Sequence, residues 1–188
     1  MGNLAALLPF PIHAYGVLLA LAFAAGIGVA LHLCERFWIT RDQIIDLAIL
    51  FMFAAIAGSR ILYIFLYPKQ FPDITSLFAL NRGGLVFYGG FVATALAVVA
   101  YGRWQGISLR LLGDLIAPSL AMGHTIGRLG CFANGCCYGA PSDLPWACRF
   151  PAAGDGLTRH PTQLYEALFL FAALIVTFRL ARRPAGEG

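Results

Sequence analysis

An all-α polytopic membrane protein, with about five transmembrane helices and a Gly-rich re-entrant loop on the non-cytoplasmic side, is the fold that this sequence predicts. Three observations lead there. Of 188 residues, 60% are hydrophobic and only 12% charged, where an ordinary soluble domain carries roughly 25% charged residues. The mean hydropathy is +0.76, which excludes a soluble globule or a disordered tail, and a formal net charge of only +4 argues against a nucleic-acid reader. The apolar residues also gather in five stretches near the roughly 20 residues that a bilayer asks of a helix. The length fits a single membrane domain over residues 1–188, with an outer-side signature loop over 127–160.

The five stretches are residues 14–33, 47–66, 85–101, 111–126 and 164–180. In lipid the backbone must satisfy its own hydrogen bonds, so each reads as a helix despite the β-branched and aromatic residues that favour strands in water. The first span holds Ala24, Ala25, Gly26 and Gly28, and the second Ala54, Ala55, Ala57, Gly58 and Ser59. Residues this small let backbones approach closely, which places both spans inside the bundle. The fourth stretch is short and polar-flanked, so its ends are expected to rest on neighbouring helices. Met1 to Pro11 lacks the basic start of a cleavable signal, and Ala6 breaks a myristoylation pattern; the first helix is expected to stay.

Basic residues in short loops set the orientation, because cytoplasmic connections retain Lys and Arg. With five spans, Arg36, Arg41, Arg103, Arg110, Arg179, Arg182 and Arg183 fall on one side, and Lys69, Arg82, Arg128, Arg149 and Arg159 on the other. The first group sits in compact turns. This places the N-terminus outside and the C-terminus in the cytoplasm.

Two outer segments concentrate glycine among polar residues: Arg82 to Gly90, and Gly127 to Gly139, which reads Gly-Arg-Leu-Gly-Cys-Phe-Ala-Asn-Gly-Cys-Cys-Tyr-Gly. Irregular backbone at membrane depth is tolerated where it lines a polar cavity. Arg128, at the exit of the fourth span, offers a planar fork of donors to an anion. Arg60, in the outer half of the second span, would be costly facing lipid. It either joins Arg128 on an anionic headgroup or pairs structurally with Asp114 or Glu166.

These segments, with His13-Ala-Tyr15-Gly16, Gly58-Ser-Arg60-Ile-Leu-Tyr63, Gly83 to Gly90, Asp114 to Pro118 and Arg159-His160-Pro161-Thr-Gln163-Leu-Tyr165-Glu166, resemble the prolipoprotein diacylglyceryl transferase family in motif order over nearly the whole chain. The resemblance implies a bacterial inner-membrane enzyme that moves the diacylglyceryl group of phosphatidylglycerol onto the thiol of a lipobox cysteine in a preprolipoprotein, releasing glycerol 1-phosphate. Its partners would be phosphatidylglycerol, membrane lipid and a preprolipoprotein or another membrane subunit, with no cofactor, metal or nucleic acid. Arg128 matches the signature arginine thought to hold the headgroup. Tyr15, Asn134 and Gly139 match further motif positions, and Tyr88 falls where some members carry a histidine proposed as a base. A phenol of ordinary pKa near 10 suits hydrogen bonding better than base work at neutral pH. The resemblance thus gives Arg128, Tyr88, Asn134 and Tyr15 as the catalytic set, and Arg60, Arg128, Gly89, Gly90, Gly139 and His160 as the substrate-binding set. Cys131 and Cys136 stand where the family usually has an asparagine and an acidic residue. The transferases carry further helices beyond the position matching Gly188, and one reading is a transferase completed by another polypeptide.

The cysteines supply a rival reading. Cys131, Cys136, Cys137 and Cys148 cluster on the outer side, where disulfides stapling the loop are the ordinary expectation. A redox-active or metal-binding thiol set is the alternative, although Cys-x4-Cys-Cys is no standard zinc spacing. Adjacent Cys136 and Cys137 would bridge each other only with strain, and Cys131 near Arg128 is a candidate nucleophile. On this reading the chain is a thiol-redox, metal-binding or non-catalytic membrane subunit that keeps the transferase-like fold and lipid pocket. His13, His32, His124 and His160 are each read as structural ahead of catalytic.

The charge distribution makes a testable statement. A reporter fused after Gly188 is expected to be cytoplasmic, and a thiol reagent that cannot cross the membrane should label the 131–148 segment from outside. An exterior C-terminus would invert every proposed site.

Overall fold

The computed structural model describes residues 14–68 and 84–182. The expectations for Met1–Pro11, His13, Lys69, Arg82, Gly83 and Arg183 lie outside these residues. Among the described residues there are five α-helices: α1 (Ala14–Leu33), α2 (Arg41–Leu66), α3 (Phe87–Trp104), α4 (Leu109–Asn134) and α5 (Thr162–Ala181). Each apolar stretch becomes one helix. Two of them, α2 and α4, run more than a turn past the apolar limits, because hydropathy marks the lipid-facing part while backbone hydrogen bonding carries a helix on into its polar flank. Three of them, α1 with a 3-10 extension to Phe37, α2 and α5, are long and apolar enough to cross a membrane.

Burial is inverted relative to a soluble domain. Phe65 is 81% exposed, Leu168 72% and Phe169 73%, whereas Gln163 is fully buried. Water would not support such a distribution of aromatic surface, and lipid does. The protein is a helical membrane protein.

The chain divides into two compact units, Trp38–Leu112 and Met1–Phe37 with Gly113–Gly188. In the first, α2 starts with a capping box: Thr40 Oγ1 accepts from Gln43 N at 3.3 Å, and Gln43 Oε1 accepts from Thr40 N at 2.9 Å. Ile39 and Ile44 flank it, both buried, at the spacing of a hydrophobic staple. Helices α2 and α3 pack antiparallel through small residues. A Cβ on Gly58 would collide with Gly89 O and Ala93 Cβ, and one on Gly89 with Gly58 O. The backbones therefore touch, as small-residue stripes permit in membranes. Toward the other end Tyr101 donates to Asp46 Oδ2 at 3.3 Å. Trp38 and Trp104, both heavily exposed, cap this end as interfacial aromatics do.

In the second unit α1 runs against α4. Gly26 faces Ser119 O and Gly123 faces Ala22 O, each about 3.1–3.2 Å from where a Cβ would stand. Helix α5 closes on α1 through His32 stacked on Phe178 at 5.9 Å and through Arg36 Nη1 donating to Arg182 O at 2.8 Å. Pro118 interrupts α4 and is almost fully buried; neighbouring helices make such a proline tolerable. The chain from Gly127 to Asn134, expected as irregular loop, forms the last turns of α4 instead. Its glycines serve contact there: Gly130 is buried, with Leu18 Cβ 3.3 Å from a hypothetical Cβ. Beyond α4 a short antiparallel ribbon pairs β1 (Cys148–Arg149) with β2 (Thr158–Arg159).

Gly58→Ala and Gly89→Ala should each lower stability by about 1–3 kcal/mol, the usual range for overpacking. Gly28→Ala, facing open space, should be neutral or slightly stabilising in a helix. Thermal unfolding in detergent checks this, and equal melting temperatures for all three variants would remove the α2–α3 backbone contact from the description.

Candidate functional site

The exit of α4 is the chemical centre of its unit. Arg128 and Cys131 lie one turn apart on the helix, and Asn134 ends it. Arg128 Nη2 meets Glu166 Oε2 at 2.7 Å, with the two side chains 26% and 46% exposed. Glu166 sits in the second turn of α5, so this pair joins the two helices. It uses one edge of a five-donor guanidinium. Arg128 Nε is buried without a hydrogen-bond partner among the described residues, and a buried donor left unmade is costly unless a second anion answers it. Tyr15, at the start of α1, packs beside Gly130, its Cδ2 3.7 Å from where a Cβ would stand. Its phenol is within electrostatic reach of Arg128 and Cys131.

Asn134 borders an open groove of about 430 Å³ whose other wall includes Arg149 and Phe150. The Asn134 side chain beside Cys136 holds that thiol below its ordinary pKa. Partial desolvation and the neighbouring sulfurs of Cys136 and Cys131 push Cys137 the other way, to about 11. The sulfurs of Cys131, Cys136 and Cys137 all lie within 4.8 Å of one another. Cys148 stands apart from them, its Sγ donating to Trp146 O at 3.6 Å. The described cysteines are all free thiols, so the disulfides expected from an oxidising compartment are not formed in this structure.

Gly139 and His160 meet where the chain between α4 and α5 returns to α5. Gly139 N donates to His160 O at 2.9 Å and His160 N to Ala140 O at 3.1 Å. A Cβ on Gly139 would stand 2.7 Å from Thr162 Cγ2, so glycine is needed for this crossing of chains. His160 Nδ1 is 3.2 Å from Tyr165 Oη, which accepts from Trp146 Nε1 at 2.7 Å. Indole can only donate, so the tyrosine proton is free to go to the imidazole. Arg159 pairs with Asp155 and lies over the Tyr138 ring at 5.1 Å. The pairing holds the Asp155 carboxyl below its usual pKa.

The remaining expected site residues belong to the other unit. Arg60 is buried, and its Nη1 donates to Gly84 O at 3.2 Å. Close by, Val86 N donates to Ser59 O at 3.1 Å, so the C-terminal half of α2 holds the chain entering α3. Gly89 and Gly90 face α2, a Cβ on Gly90 colliding with Ser59 Oγ; their lack of a side chain is used in helix packing. Tyr88 is 72% exposed and edge-on to Phe87 at 5.8 Å.

Sequence reasoning missed Glu166 as the counter-ion of Arg128, having weighed it only for Arg60. The signal was available, since a charge at membrane depth calls for an opposite charge in reach. It also passed over Gln163, fully buried and donating to Cys136 O, and the Trp146–Tyr165–His160 relay.

Residues 3–188 match the profile of the family described as prolipoprotein diacylglyceryl transferase. Three relatives are each named phosphatidylglycerol–prolipoprotein diacylglyceryl transferase. The chain is 36% identical to the one from Bordetella avium (strain 197N), over 95% of its own length and 71% of the relative's. For Methylococcus capsulatus the figures are 37%, 89% and 66%, and for Pseudomonas fluorescens 34%, 94% and 68%. The chain thus spans about two thirds of these relatives. With the motifs in order, the arginine–glutamate pair at the end of α4 and a profile match over almost every residue, the chain belongs to the prolipoprotein diacylglyceryl transferase family.

Proposed function

We propose that this chain works as a phosphatidylglycerol-dependent diacylglyceryl transferase of the bacterial inner membrane, acting on an acceptor thiol such as the lipobox cysteine of a preprolipoprotein. All five helices would cross the membrane, with the N-terminus outside, the C-terminus in the cytoplasm and the 127–160 segment on the outer face. The observation that carries this reading is Arg128, fixed by Glu166 and still holding a buried, unanswered Nε–H at the outer end of α4. A phosphate diester is the ligand that such a half-used fork suits.

In the reaction the acceptor sulfur attacks the glycerol carbon bearing the phosphate. A carbon–sulfur bond forms, the carbon–oxygen bond breaks, and glycerol 1-phosphate leaves with the bonding electrons while the thiol proton passes to a base or to water. Charge grows on the departing phosphate. Arg128 is placed to stabilise it, and donors that need no reorganisation at that moment are the most effective. Glu166 is a positioning residue, holding one edge of the guanidinium so that the other faces the lipid. Tyr15, beside Gly130 and close to Arg128, would add a hydroxyl donor, and Asn134 with the groove beyond it would receive the glycerol. Gly139 and His160 support the frame around the headgroup; in the other unit Arg60 holds the chain entering α3, Gly89 and Gly90 set the α2–α3 spacing, and Tyr88 is reserved for a hydrogen-bonding role.

The test incubates purified protein with phosphatidylglycerol and a lipobox peptide and reads the modified peptide by mass. Arg128→Lys keeps the charge but loses the fork, so transfer should fall by about 10²–10³-fold, as when one donor to a developing anion is removed. Glu166→Gln should cost less, roughly 10-fold, and weaken lipid retention with it. Unchanged transfer and lipid retention in Arg128→Lys and Arg128→Ala would sink the assignment.

A further inference from the structure

Consecutive residues rarely present their side chains to one point, since neighbours diverge around a helix and alternate across a strand. Cys136 and Cys137 do so here, their sulfurs 3.7 Å apart, and Cys131 joins them with all three sulfurs within 4.8 Å. The backbone produces this convergence. After α4 ends at Asn134, Gly135 takes φ +70° and Cys137 takes φ +62°, the second being an uncommon left-handed conformation for a residue with a Cβ. Cys136 N donates back to Cys131 O at 3.1 Å, folding the turn against the helix end. Two carbonyls of the turn are held from α5: Gln163 Nε2 donates to Cys136 O, and Thr162 Oγ1 to Cys137 O at 2.9 Å. A left-handed cysteine persists only where its surroundings fix it, and the first turn of α5 does so.

We propose that Cys131, Cys136 and Cys137 form a three-sulfur site for a soft, thiolate-binding metal ion, Cu(I) or Zn(II). Ligands held about 2.3 Å from one ion stand roughly 3.8–4.0 Å from one another, so the trio needs shifts of less than about 1 Å to close on it. All-thiolate donors select soft ions over Mg²⁺ or Ca²⁺. Cys137 is exposed, which leaves a coordination position open: Zn(II) would complete its four ligands with water, while Cu(I) is satisfied by three. Each thiol that binds gives its proton to water, and Arg128, one turn before Cys131, offsets part of the remaining negative charge. A disulfide account fits less well, because three thiols converge and the adjacent pair bridges only with strain. The site uses sulfurs that the transfer reaction does not require, so it stands apart from the proposed activity.

The experiment titrates the reduced full chain in detergent, without oxygen, with Cd(II) as a spectroscopic stand-in for Zn(II) and, separately, with Cu(I) against a colorimetric chelator. One equivalent should give a thiolate-to-metal absorption band or withdraw copper from the chelator, and the responding arm identifies the ion. Cys131→Ser, Cys136→Ser and Cys137→Ser should each weaken binding at least as much as the roughly 10-fold loss from removing a supporting residue. Cys34→Ser and Cys148→Ser should leave it unchanged. Because a turn variant can misfold, the unsubstituted protein is also alkylated with and without metal, and peptide masses should show Cys131, Cys136 and Cys137 protected while Cys148 reacts. Absence of one-equivalent binding in both arms, or protection that fails to distinguish the trio from Cys148, overturns the site.

Discussion

The ion pair between Arg128 and Glu166 is the contact around which the junction of α4 and α5 is arranged. A guanidinium at the end of an apolar helix cannot face lipid, and a lone carboxylate in α5 has the same difficulty. Each solves the other's problem. Their meeting at 2.7 Å sets the register of α4 against α5, brings Cys131 toward the first turn of α5, and places Thr162 and Gln163 under the chain that leaves α4. Replacing Glu166 would leave the half-buried Arg128 guanidinium without its counter-charge.

Close backbone contact is the second organising principle. Lipid tails are as apolar as leucine, so apolar surface alone gives helices no reason to associate. Gly58 against Gly89 in one unit, and Gly26 and Gly123 against α1–α4 carbonyls in the other, replace that missing force with dispersion at short range. The large apolar side chains are left to point outward, as Phe65, Leu168 and Phe169 do.

Much of this was legible in the sequence, because apolar length and small-residue stripes report directly on what lipid demands. The start and end of α1 were read to the residue, and Arg128, Asn134 and the cysteines were singled out. What escaped notice depended on which residues meet. Glycine at 127, 130 and 135 reads alike in sequence, yet only Gly135 takes a positive φ, while Gly130 is a helix contact. The disulfide expectation rested on compartment chemistry and could not weigh a left-handed Cys137. Arg60 illustrates the same gap: its cost in lipid was plain, but its acceptor is a main-chain carbonyl at Gly84, which no side-chain pattern announces.

One unit is continuous in sequence and the other is not, and this has a consequence for assembly. Helices α2 and α3 can pair as soon as both have left the ribosome, aided by a cap at Thr40 that α2 carries itself. Helix α1 belongs with α4 and α5, beyond an intervening stretch of about 75 residues, which at typical synthesis rates is a wait of roughly 4–15 s. Arg128 then enters ahead of Glu166 by nearly forty residues, roughly 2–8 s at the same pace. The nascent chain therefore passes through a stage in which Arg128 has been made and its partner Glu166 has not.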